Sequence, residues 1–303
     1  MSLNRNNPVS LLQAWQELQA KEPRIYTRDA AAKLGVSEAE LIALRCPESA
    51  YRLKIDSLTT LLNEAMKFGQ VMFIVRNEAA VLEMDGQLVF EAKDHYISGT
   101  SKEILLAVSP KQIGSAFSVH AEEWMKRGIL FFDEAGDSVL KVYFRDNSKT
   151  AEIDEWLGAW KCAEQVQTLK VSSPDKSSAT KEGDHHHCNC ENSATSIPVE
   201  KSYKPLLESA TQAGDSVTLS LCNTGCHFSV TAAIKKVAAM GPWFNILDDE
   251  LHLHLRENAV ASASVSSDSP TQSTKLALKD ASGKTILRIR VSSESQSAKA
   301  LLG

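Results

Sequence analysis

The feature that most constrains this chain is that its second half repeats its first. The segment LLNEAMKFGQVMFIVRNEAAV, from Leu61, aligns with LLESATQAGDSVTLSLCNTGCHF, from Leu206. Both give a Leu-Leu pair, then Glu and Ala, a glycine, a β-branched run and a closing asparagine. A second block, FDEAGDSVLKV, aligns with KDASGKTILRI and places Asp133 on Asp280 and Gly136 on Gly283. Matching turn residues and apolar rhythm in two separate blocks define an internal repeat. Each repeat passes from helix into short strands. The expected fold class is therefore α+β, a tandem duplication of a helix-plus-antiparallel-sheet unit.

The repeats divide the chain into residues 1–170, a linker at 171–200, and a second, shortened repeat at 201–303. The linker contains no Leu, Phe, Trp or Tyr and is dominated by Ser, Thr, Asp, Lys and Glu. It buries too little apolar surface to offset the entropy of ordering, so it reads as flexible. The second repeat has no obvious counterpart to the N-terminal helices of the first, and ASASVSSDSPTQST (Ala261–Thr274) reads as a low-complexity loop.

Local signals fill in the first repeat. Leu11, Leu12, Trp15 and Leu18 recur at helical spacing between Pro8 and Lys21. YTRDAAAKLGVSEAELIALR reads as two short helices joined at Gly35–Val36, with Ser37 and Glu40 forming a capping box. A third helix over SLTTLLNEAMKFG ends at Gly69. QVMFIVRN, AAVLEMDG and QLVFEA then read as strands. FFDEAGDSVLKVYF reads as a hairpin with its turn at Glu134–Asp137, and AEIDEWLGAWKCAEQVQTL as a closing helix.

Composition excludes several function classes. A net charge of −5 gives no electrostatic footprint for nucleic acid or an anionic membrane. The start of the chain lacks the basic and apolar regions of a secretory signal, and no apolar run approaches the ~18 residues of a spanning helix. Six cysteines without an export signal are expected as thiols, which makes a cytoplasmic location the expectation. RDAAAKLGVSEAEL has the outline of a helix-turn-helix, but Glu38 and Glu40 would repel phosphate where a recognition helix needs donors. A structural helical hairpin is the better reading. The glycines form neither a dinucleotide nor a P-loop spacing. No HExxH helix or nucleophile elbow is present.

Two stretches carry ligand chemistry. HHHCNC (His185–Cys190) sets five soft ligands in six positions, suited to Zn, Cu or iron. All five cannot reach one ion. The tract therefore reads as a solvated ligand run, a partial zinc clip, or the source of one axial imidazole for haem iron. LHLHLREN (Leu251–Asn258) reads as an alternating strand with His252, His254 and Arg256 on one face, which is most simply a surface face and could line an anion pocket.

With these residues in view, the chain resembles the bacterial hemin-degrading and haem-trafficking proteins of the HemS/ChuS type. CNTGCHF, GPWFNILDDELHLHLRENAVASASV and KLALKDASGKTILRI resemble that family's second half. LQAKEPRIYTRDAAAKLGVSEAELIALR, VRNEAAV and FFDEAGDSVLKVY resemble its first repeat. The resemblance covers about Leu11–Leu169 and Tyr203–Val291. It implies paired α+β repeats that hold haem between sheet and helices. Family members receive imported haem behind an inner-membrane ABC transporter. They pass it to a haem oxygenase, open the ring themselves, or both.

By position the family's axial histidine falls on His186, with His185 and His187 as alternates. The Phe-Phe helix that follows it in the family is missing here. The family's distal arginine falls on Ser118, and a tyrosine near the propionates falls on Arg290. Arg256 and Arg290 could pair with propionates. Ser118 is a poor substitute for a cationic donor near iron-bound oxygen. The expectation is haem binding and handover rather than efficient ring opening. A haem-degrading enzyme, or a homologue whose His/Cys tract binds Zn or Cu, are the alternatives.

Overall fold

The computed structural model describes residues 7–120, 127–146, 149–172 and 194–302. In chain order its helices are α1 (Pro8–Lys21), α2 (Thr27–Leu34), α3 (Glu38–Ala43), α4 (Leu58–Ala65), α5 (Thr150–Ala159), α6 (Tyr203–Ala213) and α7 (Gln296–Leu302). The strands of the first half are β1 (Ala50–Arg52), β2 (Val71–Arg76), β3 (Ala80–Gly86), β4 (Val89–Ala92), β5 (Ile97–Thr100), β6 (Ile104–Val108), β7 (Ser115–Val119), β8 (Gly128–Phe132) and β9 (Ser138–Phe144). Those of the second are β10 (Thr195–Ile197), β11 (Ser216–Cys222), β12 (Cys226–Ala233), β13 (Val237–Met240), β14 (Trp243–Leu247), β15 (Leu251–Arg256), β16 (Ser262–Asp268), β17 (Ser273–Lys279) and β18 (Thr285–Ser292). The α+β class and the duplication are both present.

Compact units and sequence repeats divide the chain differently. One unit comprises Met1–Phe73 and Ser109–Lys181, the other Ile74–Val108 and Glu182–Gly303.

In the first unit, the Asn7 side chain accepts from Val9 N at 3.0 Å and Pro8 opens α1 with its preset φ. Leu11 and Trp15 of α1 pack with Ala30 and Ala31 of α2 and with Leu41 and Leu44 of the α3 segment. Gly35 ends α2 at φ +68°, and the capping box opens α3: Ser37 N donates to Glu40 Oε2 at 2.7 Å and Glu40 N to Ser37 Oγ at 3.3 Å. Ala39, Ile42 and Ala43 then pack on Phe117, Val119, Leu130 and Phe132 of the sheet, in the order β1-β7-β8-β9-β2. The helical hairpin packs into the core, in keeping with the structural reading of that segment.

The closing helix is shorter than its sequence implied. It stops at Ala159, and the chain then runs extended beside β1, with Cys162 N on Arg52 O at 3.0 Å. Gln165 exchanges both side-chain hydrogen bonds with the Arg52 backbone, at 2.7 and 2.9 Å. These tertiary partners outweigh local helix propensity. The remaining helix is tied to α4 by Trp156 and Trp160, whose indoles donate to Glu64 Oε2 at 2.8 and 3.0 Å.

The second unit contains a nine-stranded antiparallel sheet, β10-β16-β17-β18-β11-β12-β6-β5-β4, and a ladder β3-β15-β14-β13. The order β12-β6-β5-β4 is the repeat image of β3-β15-β14-β13. Strands β4 to β6 from the first repeat thus pair with β12 of the second, and β13 to β15 pair with β3 of the first. Each repeat completes its partner's ladder. Asn77 and Asn223 close the exchange: Asn77 Nδ2 donates to Ile286 O at 2.8 Å, and Asn223 Nδ2 donates to Arg76 O at 3.1 Å. Each also caps its own turn, Asn77 Oδ1 accepting from Ala80 N at 2.9 Å and Asn223 Oδ1 from Cys226 N at 2.9 Å.

Ala261–Thr274, expected as a loop, supplies β16 and the start of β17 instead. Within β16 the buried Ala263 and Val265 alternate with less buried serines, so an alternating strand was hidden by its polar face. β5 and β6 had no sequence expectation at all. The C-terminal end of the expected linker forms edge strand β10, paired to β16. Cys46, Cys162, Cys222 and Cys226 carry no disulfide, and burial pushes the Cys46 thiol up to about 11. Among the described residues no helix is long and apolar enough to cross a membrane.

Candidate functional site

Strand β15 shows how the sequence presents ligand groups. Its period of two buries Leu251, Leu253 and Leu255 and puts His252, His254 and Arg256 on the opposite face. Each of the three has a cross-strand partner. His252 stands opposite Glu83 of β3, His254 opposite Asn245 of β14, and Arg256 opposite Trp243.

These pairs fix the side chains. The Arg256 guanidinium lies 4.9 Å from the Trp243 ring centroid, a cation–π contact. His252 Nδ1 is 3.5 Å from Glu83 Oε2, and His254 Nδ1 is 2.7 Å from Asn245 Oδ1. Asn245 is 3% exposed, and its Nδ2 donates to Ala238 O at 3.1 Å and to Trp243 O at 3.3 Å. Those two carbonyls dictate the amide orientation, so Oδ1 must face the imidazole and His254 Nδ1 must carry the proton. Burial lowers the His254 pKa; Glu83 opposes that shift and His252 adds to it. In this tautomer the Nε2 lone pair of His254 is directed away from Asn245.

Arg290 lies elsewhere in the same unit, on β18 of the nine-stranded sheet. Leu287, Ile289 and Val291 are buried, while Arg290 is exposed on the other face between Thr218 and Lys275. Its Nη2 donates to Thr218 Oγ1 at 3.4 Å, and Thr218 shares a hydroxyl hydrogen bond with Thr231 at 2.9 Å. Lys275 is held by Asp268 at 2.5 Å, whereas Arg290 has no carboxylate partner among the described residues. A cation fastened to a hydroxyl face is suited to an external anion.

Ser118 belongs to the first unit. It is fully buried in β7, with Oγ donating to Tyr51 O at 3.5 Å, and it presents nothing to a ligand. His185, His186 and His187 lie outside the described residues, as do Cys188 and Cys190. The structure brings His254 and Arg256 together on one face and leaves Arg290 on the other sheet. Sequence reading missed Asn245 and Glu83 as orienting partners. The signal was present in the alternation of GPWFNIL, which sets Asn245 beside a histidine once the β14–β15 register is known. Among the described residues no three His, Cys, Asp or Glu side chains converge as a ready metal-ligand set.

The profile of the haemin-degrading HemS/ChuX domain matches this chain twice, at residues 35–160 and 179–300. The chain is 26% identical over 290 residues to the hemin transport protein HmuS of Yersinia pestis, covering 84% of this chain and 83% of that protein. It is 27% identical over 289 residues to the hemin transport protein HemS of Yersinia enterocolitica, covering 83% of this chain and 82% of that one. Among solved structures, holo-PhuS, a heme-binding protein from Pseudomonas aeruginosa, is 26% identical with a TM-score of 0.82 and 94% of each chain covered. ChuS, a heme-degrading enzyme from Escherichia coli O157:H7, is 24% identical with a TM-score of 0.83 over 98% of this chain and 99% of that one, a likeness of fold.

Proposed function

Because the chain belongs to the haemin-degrading HemS/ChuX family, we propose that it binds haem in the cytoplasm and carries it in haem uptake and iron acquisition. The observation that carries this reading is the double domain match, which spans both repeats and most of the length of the hemin transport relatives. An imidazole from His185–His187, His186 first, is the proposed axial ligand of the iron. Arg290, and more weakly Arg256, are the proposed propionate partners. Arg290 is exposed, anchored on Thr218 and free of a carboxylate partner among the described residues, which suits it to that role. An inner-membrane ABC transporter is the proposed donor and a haem oxygenase the proposed acceptor.

Carriage is favoured over ring opening by Ser118. A distal donor must reach the iron-bound ligand, and this buried hydroxyl is spent on the Tyr51 carbonyl. The haem-loaded protein, mixed with apomyoglobin and separately with ascorbate and oxygen, distinguishes the two functions. A carrier transfers its haem to the globin and keeps its Soret band under reductant when catalase is present. Catalase-insensitive loss of the Soret band would assign ring opening instead.

A further inference from the structure

We propose that the His252–His254 face of β15 is a metal-binding position separate from the 185–187 stretch, with His254 Nε2 as the preset ligand and His252 as its neighbour. The chemistry it would take is a borderline transition-metal centre with an open coordination position, either an aquated divalent ion or porphyrin-bound iron.

Three observations carry it. First, Asn245 holds His254 in the tautomer a metal ligand requires, with the proton on Nδ1 and the lone pair on Nε2. A hydrogen bond behind the ring is the usual device for orienting a ligating imidazole. Second, His252 repeats the arrangement one pleat away, with Nδ1 toward Glu83 Oε2 at 3.5 Å and its ring centroid 6.3 Å from that of His254. Neither Nε2 has a protein partner among the described residues, and both histidines are partly exposed.

Third, the fold does not need these imidazoles. In the nine-stranded sheet, the position of His254 between Val81 and Asn245 becomes Ala107 between His227 and Ser98. His252, opposite Glu83, becomes Leu105 opposite Ser229. The same ladder forms with Leu and Ala in one copy and with paired, hydrogen-bonded histidines in the other. A packing role would not require this difference.

The test uses the full chain with His185, His186 and His187 changed to Ala and Cys188 and Cys190 to Ser. The outcome is then independent of the proposed axial ligand. Co2+ is titrated and read by visible absorption, and hemin is titrated separately and read at the Soret band. In this background we expect one saturable site that His254→Ala abolishes and His252→Leu weakens. The residues at the matching positions of the other sheet, Ala107 and Leu105, make both variants compatible with folding, which near-UV circular dichroism verifies. Asn245→Ala should weaken binding about 10- to 100-fold.

Dependence on His254 with Co2+ alone assigns a divalent ion, and dependence with hemin assigns porphyrin iron. Binding of both that is indifferent to His254, or no binding of either, overturns the proposal. So does a long-range 1H–15N spectrum showing the His254 proton on Nε2.

Discussion

Gly136 and Gly283 occupy the same turn in the two repeats, yet their surroundings differ. Both have positive φ, +82° and +84°, and in both turns the aspartate three residues earlier accepts from two backbone N–H groups. A Cβ at Gly136 would lie 2.3 Å from Ser37 Oγ and 2.6 Å from Ser37 Cβ, whereas at Gly283 it meets nothing within 4 Å. Gly283→Ala should therefore cost only the left-handed penalty, about 1 kcal/mol. Gly136→Ala should cost distinctly more and disturb the α3 cap. Urea midpoints of the two variants measure this, and equal losses would contradict it. The Lys141–Glu38 ion pair, 2.6 Å long with side chains 13% and 4% exposed, gives a second test. Lys141→Met should destabilise by about 3 kcal/mol by leaving Glu38 buried without its cation, and adding Glu38→Gln should recover part of that loss. Acid sensitivity has its own residues. Burial lowers the pKa of both His120 and His254 below the ordinary 6.5. Below 6.5 the unfolded chain binds protons that the folded one refuses, so stability is full above that pH and declines as pH falls toward the depressed values. Denaturant melts at about pH 7.5 and about pH 5.5 should show this decline, and a His120→Ala/His254→Ala variant should flatten it.

At the level of elements, local chemistry was legible in the sequence wherever a residue's role is decided by its neighbours in the chain. Pro8, Gly35, the Ser37–Glu40 box and the hairpin turn all act within a few residues; the turn, expected at Glu134–Asp137, closes one residue earlier, with Gly136 N on Asp133 O, and the others stand where the sequence implied. Ser37→Ala should cost about 1 kcal/mol through the lost cap, measurable by thermal melts. Long-range partners were not legible. Gln165 holds the chain extended through Arg52, a residue far away in sequence, so the helix expected to continue past Ala159 does not. β16 was obscured because its serines have the composition of a loop while Ala263 and Val265 still alternate inward. The site followed the same rule. His252, His254 and Arg256 could be placed on one face from alternation alone, but Asn245 and Glu83 became partners only through strand register.

For the whole molecule, the exchange of three-strand segments means that neither repeat is complete alone. β6 needs β12, and β15 needs β3. A chain of residues 1–170 would leave the outer edges of β3 and β6 unpaired, a strong drive to association. A second copy of the same repeat offers the equivalent strands about a two-fold axis. Either repeat expressed alone should therefore run as a homodimer in sedimentation, and a co-expressed pair should form the heterodimer. A stable monomeric half would contradict the exchange. The most direct test of the functional account is an absorbance titration of hemin into the full-length protein beside its His185/His186/His187→Ala variant. A saturable complex is expected for the wild type, and for the variant a shifted Soret band with weaker affinity. An unchanged Soret position and affinity in the variant, or no saturable binding by the wild type, would contradict it.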